Sequence, residues 1–375
     1  MACCRFLHRM MFLAIVVTLL VSCSPGQAQP AAAPAATAPP TVTASLAATA
    51  TAAPTQTSVP TAVPPTGTAP GVVQLRQGGV LITPDSAARV ERLGTIEGYK
   101  GKVMSVAFSG DGTYIASSDR DKIKVWDVAS GQEAFTLSAQ LDINGLAFSP
   151  DSRLLASAQT IWDVKSRQAI HTLDARDYFH AAFSPDGAWL AVSGAQPIKL
   201  WNVASRQVVR TFEAQADNVS FSIAFSPDGT MLADSGHGGR IRLWNVVSGQ
   251  VARTLTHGNG TLKDVHDIAF SPDGKLLVSA GIDHTVRLWD VASGQALHTM
   301  WHSDGLYGVT FSPDGNLVAS ASCDRTVKLW DVASGRMVRT LSHGDEVTSV
   351  AFSPDGTLLA SGAYDSKVYV WGISR

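Results

Sequence analysis

The last copy of a repeated phrase reads VTSVAFSPDGTLLASGAYDSKVYVWGISR (347–375). Its first run alternates apolar and polar residues and ends at a Phe, as a half-buried strand does. S-P-D-G follows, with Pro fixing φ at the second turn position and Gly free to take positive φ at the end, which is hairpin chemistry. Two more strand-like runs come next, LLASG and VYVW. The chain then stops four residues after Trp371. At six earlier places a similar Trp is followed by a turn and another apolar run, as in LWDVASGQALHTM (288–300). The seventh copy therefore lacks a fourth strand, and its bare edge must be covered from elsewhere.

The phrase recurs along the chain. Its anchor Phe stands at 108, 148, 183, 225, 270, 311 and 352, and the Trp at 126, 162, 201, 244, 289, 330 and 371. Seven copies at a period near 41 signal a stacked or radial repeat. Four strands per copy with a Trp-Asp pair resemble the WD40 repeat, continuously over about 99–375. The resemblance implies an all-β fold, a seven-bladed β-propeller of four-stranded antiparallel blades around a central channel. One blade cannot bury both its faces, whereas a closed ring lets each blade cover its neighbour. ARVERLGTIEGYKG (88–101) resembles the fourth run and linker of other copies, such as MVRTLSHGDE (337–346). Residues ~88–96 are expected to pair outside VYVW and close the ring, as in the family's "velcro" closure.

Before the repeats the sequence changes character. Residues 23–75 contain no Asp, Glu, Lys or Arg. Arg5 and Arg9 precede the apolar stretch MFLAIVVTLLV (11–21), which is too short to span a bilayer and reads as an export signal over 1–22. L-V-S-C (20–23) resembles the lipobox of bacterial lipoproteins, which implies acylation of Cys23 and an exported protein, lipid-anchored to the bacterial cell envelope on its extracytoplasmic face. An ordinary cleaved signal with an incidental Cys is the other reading. Residues 23–70 are rich in Ala, Thr and Pro and lack the large apolar side chains that offset ordering entropy, so a disordered tether is expected there. The propeller is expected over 71–375.

Composition narrows the function. The chain has 29 basic against 31 acidic residues, so it carries no electrostatic footprint for nucleic acid. Only Cys323 remains after the signal and Cys23 are set aside, so the folded part has no intramolecular disulfide. Cys323 reads as a turn residue. The scattered His residues and the S-P-D-G turns lack metal-ligand spacing, and no cofactor motif is present.

Copies five to seven each hold Ser, His and Asp: Ser279, His257 and Asp283; Ser320, His302 and Asp324; Ser361, His343 and Asp365. These look like catalytic triads, but a catalytic site occurs once and structural devices recur with the period. The resemblance implies buried hydrogen-bond chains completed by Trp289, Trp330 and Trp371. At the His position the first four copies have Tyr99, Ala139, Asp174 and Ala216, none expected to reproduce the chain. Copy one keeps Ser117, with Asp119 or Asp121 nearby. Copy two is short, and its Ser152 stands where Gly favours positive φ. Copies two to four are the expected softer half.

By the same resemblance, the residue four before each anchor Phe lines the channel mouth on the binding face: Met104, Asn144, Phe179, Phe221, His266, Tyr307 and Thr348. Asp142, Asp177, Asp264 and Glu346 would rim them with negative charge, and Tyr364 and GNGTLK (258–263) lie toward the same face. An apolar centre with a polar rim is interface anatomy. The expected function is a lipid-anchored scaffold that binds a protein or peptide partner. The competing class is an enzyme or small-ligand sensor built on His266 with Asp264 and Asp267.

Overall fold

The computed structural model describes residues 79–119, 122–139, 145–173, 178–213, 219–258 and 263–374. Cys23, the export signal and the Ala/Thr/Pro-rich stretch lie outside the described residues, as do Asp121, Asp142, Asn144, Asp174, Asp177 and Ala216. The described residues form twenty-eight strands and two short 3-10 turns. The strands make seven four-stranded antiparallel sheets. The innermost strand of each blade lies beside that of the next, and the seventh lies beside the first. The chain is a seven-bladed β-propeller.

Each blade follows the sequence pattern. In the S-P-D-G turns the Ser hydroxyl donates to the Asp carboxylate and accepts the amide that opens the second strand, as in Ser226–Asp228 (2.6 Å) and Met231 N–H to Ser226 (2.9 Å). The Ser226 bond, with the Thr230 amide, holds the Asp228 carboxyl below its ordinary value. Ser152 takes φ +60° at the turn position where other blades have Gly. Copy two nevertheless builds all four strands: Leu146–Phe148, Leu154–Ser157, Thr160–Asp163 and Gln168–Thr172.

The seventh blade consists of Val347–Phe352, Leu358–Ala363, Lys367–Gly372 and, outermost, Glu91–Ile96. Glu91 pairs with Gly372, Thr95 with Tyr369 and Ile96 with Val368, with an irregularity between Arg92 and Gly94. The open edge left by the last copy is thus covered by the first strand. The chain before that strand does more than the repeat pattern suggests. Ile82, Ala87 and Val90 are fully buried among Leu317, Leu341, Leu359 and Trp371. The Ile82 amide donates to the Gly356 carbonyl (3.0 Å), and Arg339 Nε donates to the Val90 carbonyl (3.2 Å). This strap ties blade seven to the outer strand of blade six.

Adjacent blades are also joined near the channel by side chains three positions before the anchor Phe. Ser349 accepts the Val106 amide and Ser105 the Leu146 amide, each at 3.1 Å. Asp267 spans three blades: it accepts Ser222 Oγ–H (2.7 Å), its neighbour's amide at Ile268 (2.9 Å) and the Val309 amide (2.8 Å). Burial pushes its carboxyl up to about 6, against the downward pull of those three bonds.

Two predictions follow from closure and from Asp267. Ile82→Ala should cost about 2–5 kcal/mol in urea unfolding, the range for a fully buried aliphatic side chain, and a chain beginning at Val103 should melt far below one beginning at Gly71. Equal melting temperatures would break the closure argument. For Asp267, the folded pKa lies above its unfolded value of 3.8. The stability this contributes is complete below roughly pH 4 and is lost as pH rises through about 6. Relative to Asp267→Asn, the native chain should therefore lose about 2–3 kcal/mol between low and neutral pH in urea titrations. A difference between the two that does not change with pH would refute it.

Candidate functional site

The Ser of each Ser-His-Asp set is buried against a Trp indole, whereas the Asp residues are partly exposed. In blade six the Trp330 indole N–H donates to Ser320 Oγ (2.8 Å), Ser320 pairs with His302 Nε2 (2.7 Å), and His302 Nδ1 pairs with Asp324 (2.8 Å). Burial keeps His302 below its ordinary pKa, so the ring is neutral and donates from Nδ1. Burial opposes the charge on Asp324, but the bonds from His302, Thr326 and the Ser303 amide outweigh it and hold the carboxyl well below its usual range. In blade five the ring is turned over: His257 Nδ1 meets Ser279 (2.7 Å) and Nε2 meets Asp283 (3.1 Å), with Trp289 donating to Ser279 (2.8 Å). Gly281 makes room for it, since a Cβ there would lie 2.5 Å from His257 Nε2. None of these Ser hydroxyls is exposed: Ser279, Ser320 and Ser361 each have zero accessible surface. They cannot meet a substrate without local unfolding.

The other blades depart from the expected pattern in informative ways. In blade seven Trp371 donates to Ser361 (2.8 Å) and His343 Nε2 meets Ser361 (2.7 Å). Asp365, however, takes the Tyr369 hydroxyl instead of His343, whose Nδ1 turns to the Leu341 carbonyl (3.2 Å). Without a carboxylate to favour the imidazolium, burial pulls His343 down to about 4. Blade one corrects the expectation that Tyr99 breaks the chain. Its hydroxyl pairs with Ser117 and accepts the Trp126 indole N–H (2.9 Å). A phenol long enough to reach both partners replaces the imidazole, and burial raises its pKa. Blade four solves the problem with charge. Asp234 replaces the Ser, accepts Trp244 N–H (2.5 Å) and holds Arg242 through Nε (3.0 Å) and Nη2 (2.5 Å). Blade three has no such repair. Among the described residues, Ser193 Oγ and Trp201 Nε1 are buried with no hydrogen-bond partner. Of copies two to four, blade three thus lacks the Trp bond, blade two has the shortest strands, and blade four keeps its Trp bond.

The residues of the competing enzymatic reading each take part in further contacts. Asp267 faces Ser222 and Val309, as above. Asp264 accepts from His237 Nδ1 (2.8 Å) and from the Gly238 amide (2.9 Å). His266 lies between the rings of Phe221 and Tyr307. Among the described residues no group of three His, Cys, Asp or Glu side chains is placed to hold a metal ion. Cys323 is buried.

What does assemble is an arc of rings. In an antiparallel blade the innermost strand starts at the same end of the ring as the turn between the second and third strands. Phe221, His266 and Tyr307 sit at the starts of innermost strands in blades four, five and six, and His237 and Tyr364 in those turns of blades four and seven. Edge-to-face contacts link His237 to Phe221 (4.8 Å between centroids) and Phe221 to His266 (5.1 Å). Tilted contacts continue to Tyr307 (5.4 Å) and Tyr364 (6.3 Å). Lys102, in the linker entering blade one, ends the arc with its ammonium 3.6 Å from the Tyr364 centroid. Four expected residues are thus brought together. His237 and Lys102 were not visible in the repeat, because turn and linker residues have no fixed register. Phe221 is 8% exposed and forms the arc's floor, whereas His266, Tyr307 and Tyr364 are partly exposed. Met104 and Phe179, also partly exposed, make no ring contact with the arc among the described residues. Thr348 instead donates to the carbonyls of Val103 (2.7 Å) and Gly362 (3.0 Å).

Comparison with known proteins places these features in a family. The model for the WD domain, G-beta repeat, matches residues 90–127, 131–163, 206–245, 249–290, 294–331 and 335–372, more than half of the chain. The unmatched stretch holds most of blade three, where the Trp partner bonds are missing. The chain is similar to the small ribosomal subunit protein RACK1y of Oryza sativa subsp. japonica, 29% identical over 132 residues, which is 32% of this chain and 39% of that protein. It is 36% identical over 84 residues to RACK1z of Arabidopsis thaliana, covering 21% of this chain and 26% of the relative. A third similarity, 38% over 96 residues, is to the eukaryotic translation initiation factor 3 subunit I of Scheffersomyces stipitis, covering 23% and 27%. The aligned stretches therefore span less than two fifths of each of these relatives.

The unequal polar sets yield a paired test. Trp330→Phe should destabilise the chain by about 1 kcal/mol, because it removes a buried hydrogen bond to Ser320, while Trp201→Phe should be nearly neutral. Urea midpoints measure both. In hydrogen exchange, amides of blades two and three should open before those of blades five and six. Uniform protection around the ring would contradict this.

Proposed function

The chain belongs to the WD40 (WD domain, G-beta repeat) family, and from that premise we propose that it is a non-catalytic scaffold. It docks a protein or peptide partner on the aromatic arc and is held at a bacterial envelope by acylated Cys23. The observation that carries the docking role is the continuity of the arc. Four consecutive blades contribute rings to one unbroken surface at the end of the channel, and these residues are not needed for the repeat's own polar chains. Partly exposed Tyr and His rings supply large contact area at low entropic cost, the property that makes aromatic residues binding hot spots. The names of the similar proteins support the same reading, since each is a component of a larger assembly, a ribosomal subunit or an initiation factor. The absence of an accessible nucleophile in the Ser-His-Asp sets favours a scaffold over an enzyme. The envelope location is supported by the lipobox-like L-V-S-C (20–23) and by the uncharged stretch that follows it.

Both parts are testable on the full chain. Partners captured from detergent-solubilised envelope should be lost with the Tyr307→Ala, Tyr364→Ala double variant while its melting temperature stays near native. Retention of the same partners would remove the arc from the docking role. Cys23→Ser should abolish incorporation of labelled fatty acid and move the protein from the membrane to the soluble fraction. Unchanged labelling would refute lipid anchoring.

A further inference from the structure

The arc already carries a cation, and it is the protein's own. The Lys102 ammonium lies 3.6 Å from the Tyr364 ring centroid, while the other cation–ring pairs of the described residues lie at 5.1 to 5.8 Å. Attraction between an ammonium and the negative face of a ring acts within about 6 Å, so this is the tight case. No carboxylate of the described residues lies within salt-bridge distance of Lys102. The aromatic face itself holds the charge.

The surroundings favour positive charge at that end. The Tyr364 amide donates to the Glu346 carbonyl (2.9 Å), so Glu346 is joined to the residue under the ammonium. Glu346 is 6% exposed, and its Oε2 has no hydrogen-bond partner among the described residues. Asp345 and Asp304 lie in the approaches to the innermost strands of blades seven and six, at the same end of the ring. Lys102 itself is exposed and sits in a linker between strands. Its side chain can swing into water at small cost, whereas the rings are set by the strand starts and turns that carry them.

Resting on the reading of the arc as a docking surface, we infer that its Tyr307–Tyr364 end is a subsite for a lysine or arginine side chain of a basic peptide partner, with Lys102 as a resident competitor. An arriving cation replaces Lys102 over Tyr364 and adds contacts along the arc that Lys102 cannot make. An arginine gains further by stacking its planar guanidinium on the ring. The acidic residues beyond the arc draw a basic segment toward this end of the channel.

The test uses the full chain in detergent and short fluorescein-labelled peptides. Arginine, lysine, glutamate and leucine versions share one glycine-serine framework. The arginine and lysine peptides should bind and the other two should not. Lys102→Gln should tighten binding of the basic peptides about 2- to 5-fold, the worth of an exposed cation–ring contact. Tyr364→Leu should weaken it about 3- to 30-fold, while Tyr364→Phe, which keeps the ring, should bind as the native chain does. Melting temperatures of all three variants check that the fold survives. Unchanged affinity in Lys102→Gln, native-like binding by Tyr364→Leu, or no binding of either basic peptide would each overturn the inference. If the leucine peptide binds instead and needs Tyr307, the cation subsite is wrong and the docking role of the arc stands. Retained partner capture by the Tyr307→Ala, Tyr364→Ala variant would remove the docking role as well.

Discussion

Everything in this structure depends on the antiparallel pairing of Glu91–Ile96 with Lys367–Gly372. A blade has two apolar faces and can bury them only against neighbours on both sides. A row of blades would leave two faces exposed at its ends, and a ring leaves none. The pairing completes the seventh blade with a strand from before the first repeat and so locks the ring. The buried strap of Ile82, Ala87 and Val90 reinforces the lock by reaching blade six. Each of the seven apolar clusters then spans residues of neighbouring blades, as Val278, Leu288, Val309 and Trp330 do in blades five and six.

Within the ring, the same geometric need is met by different chemistry. Each blade offers a buried indole N–H that wants an acceptor. Blades five and six use Ser, His and Asp. Blade seven uses Ser and His and diverts its Asp to Tyr369. Blade one uses a phenol, and blade four an Asp neutralised by Arg242. Blade three leaves the donor unmatched. A buried donor without an acceptor costs about 1–3 kcal/mol, so the ring is graded in strength while its backbone geometry remains regular. The family model passes over the stretch that includes most of blade three, the blade whose indole lacks an acceptor.

The blades, their number and the closing strand were legible in the sequence because strand alternation, S-P-D-G turns and the Trp spacing report on backbone requirements that recur seven times. The hydrogen-bond sets were legible only where the residues were the usual ones. Tyr99 and Asp234 solve the same problem with different side chains, and a pattern of residue types cannot show that a phenol or an aspartate–arginine pair reaches the indole. The strap escaped notice because it occurs once and has no period. At the channel mouth, position within the repeat picked out Phe221, His266 and Tyr307. It could not separate the buried floor from the exposed rings, nor find His237 and Lys102, which approach from a turn and a linker.

The closing strand also sets an order of events in the life of the chain. Glu91–Ile96 emerges about 270 residues before its partner Lys367–Gly372, so the closing strand waits for the rest of the propeller to be made before it can be used. At roughly 5–20 residues per second that wait is on the order of tens of seconds. During it, blade seven is incomplete and the apolar flanks of blades one and six are uncovered. The ring cannot lock until two strands far apart in the sequence have both been made.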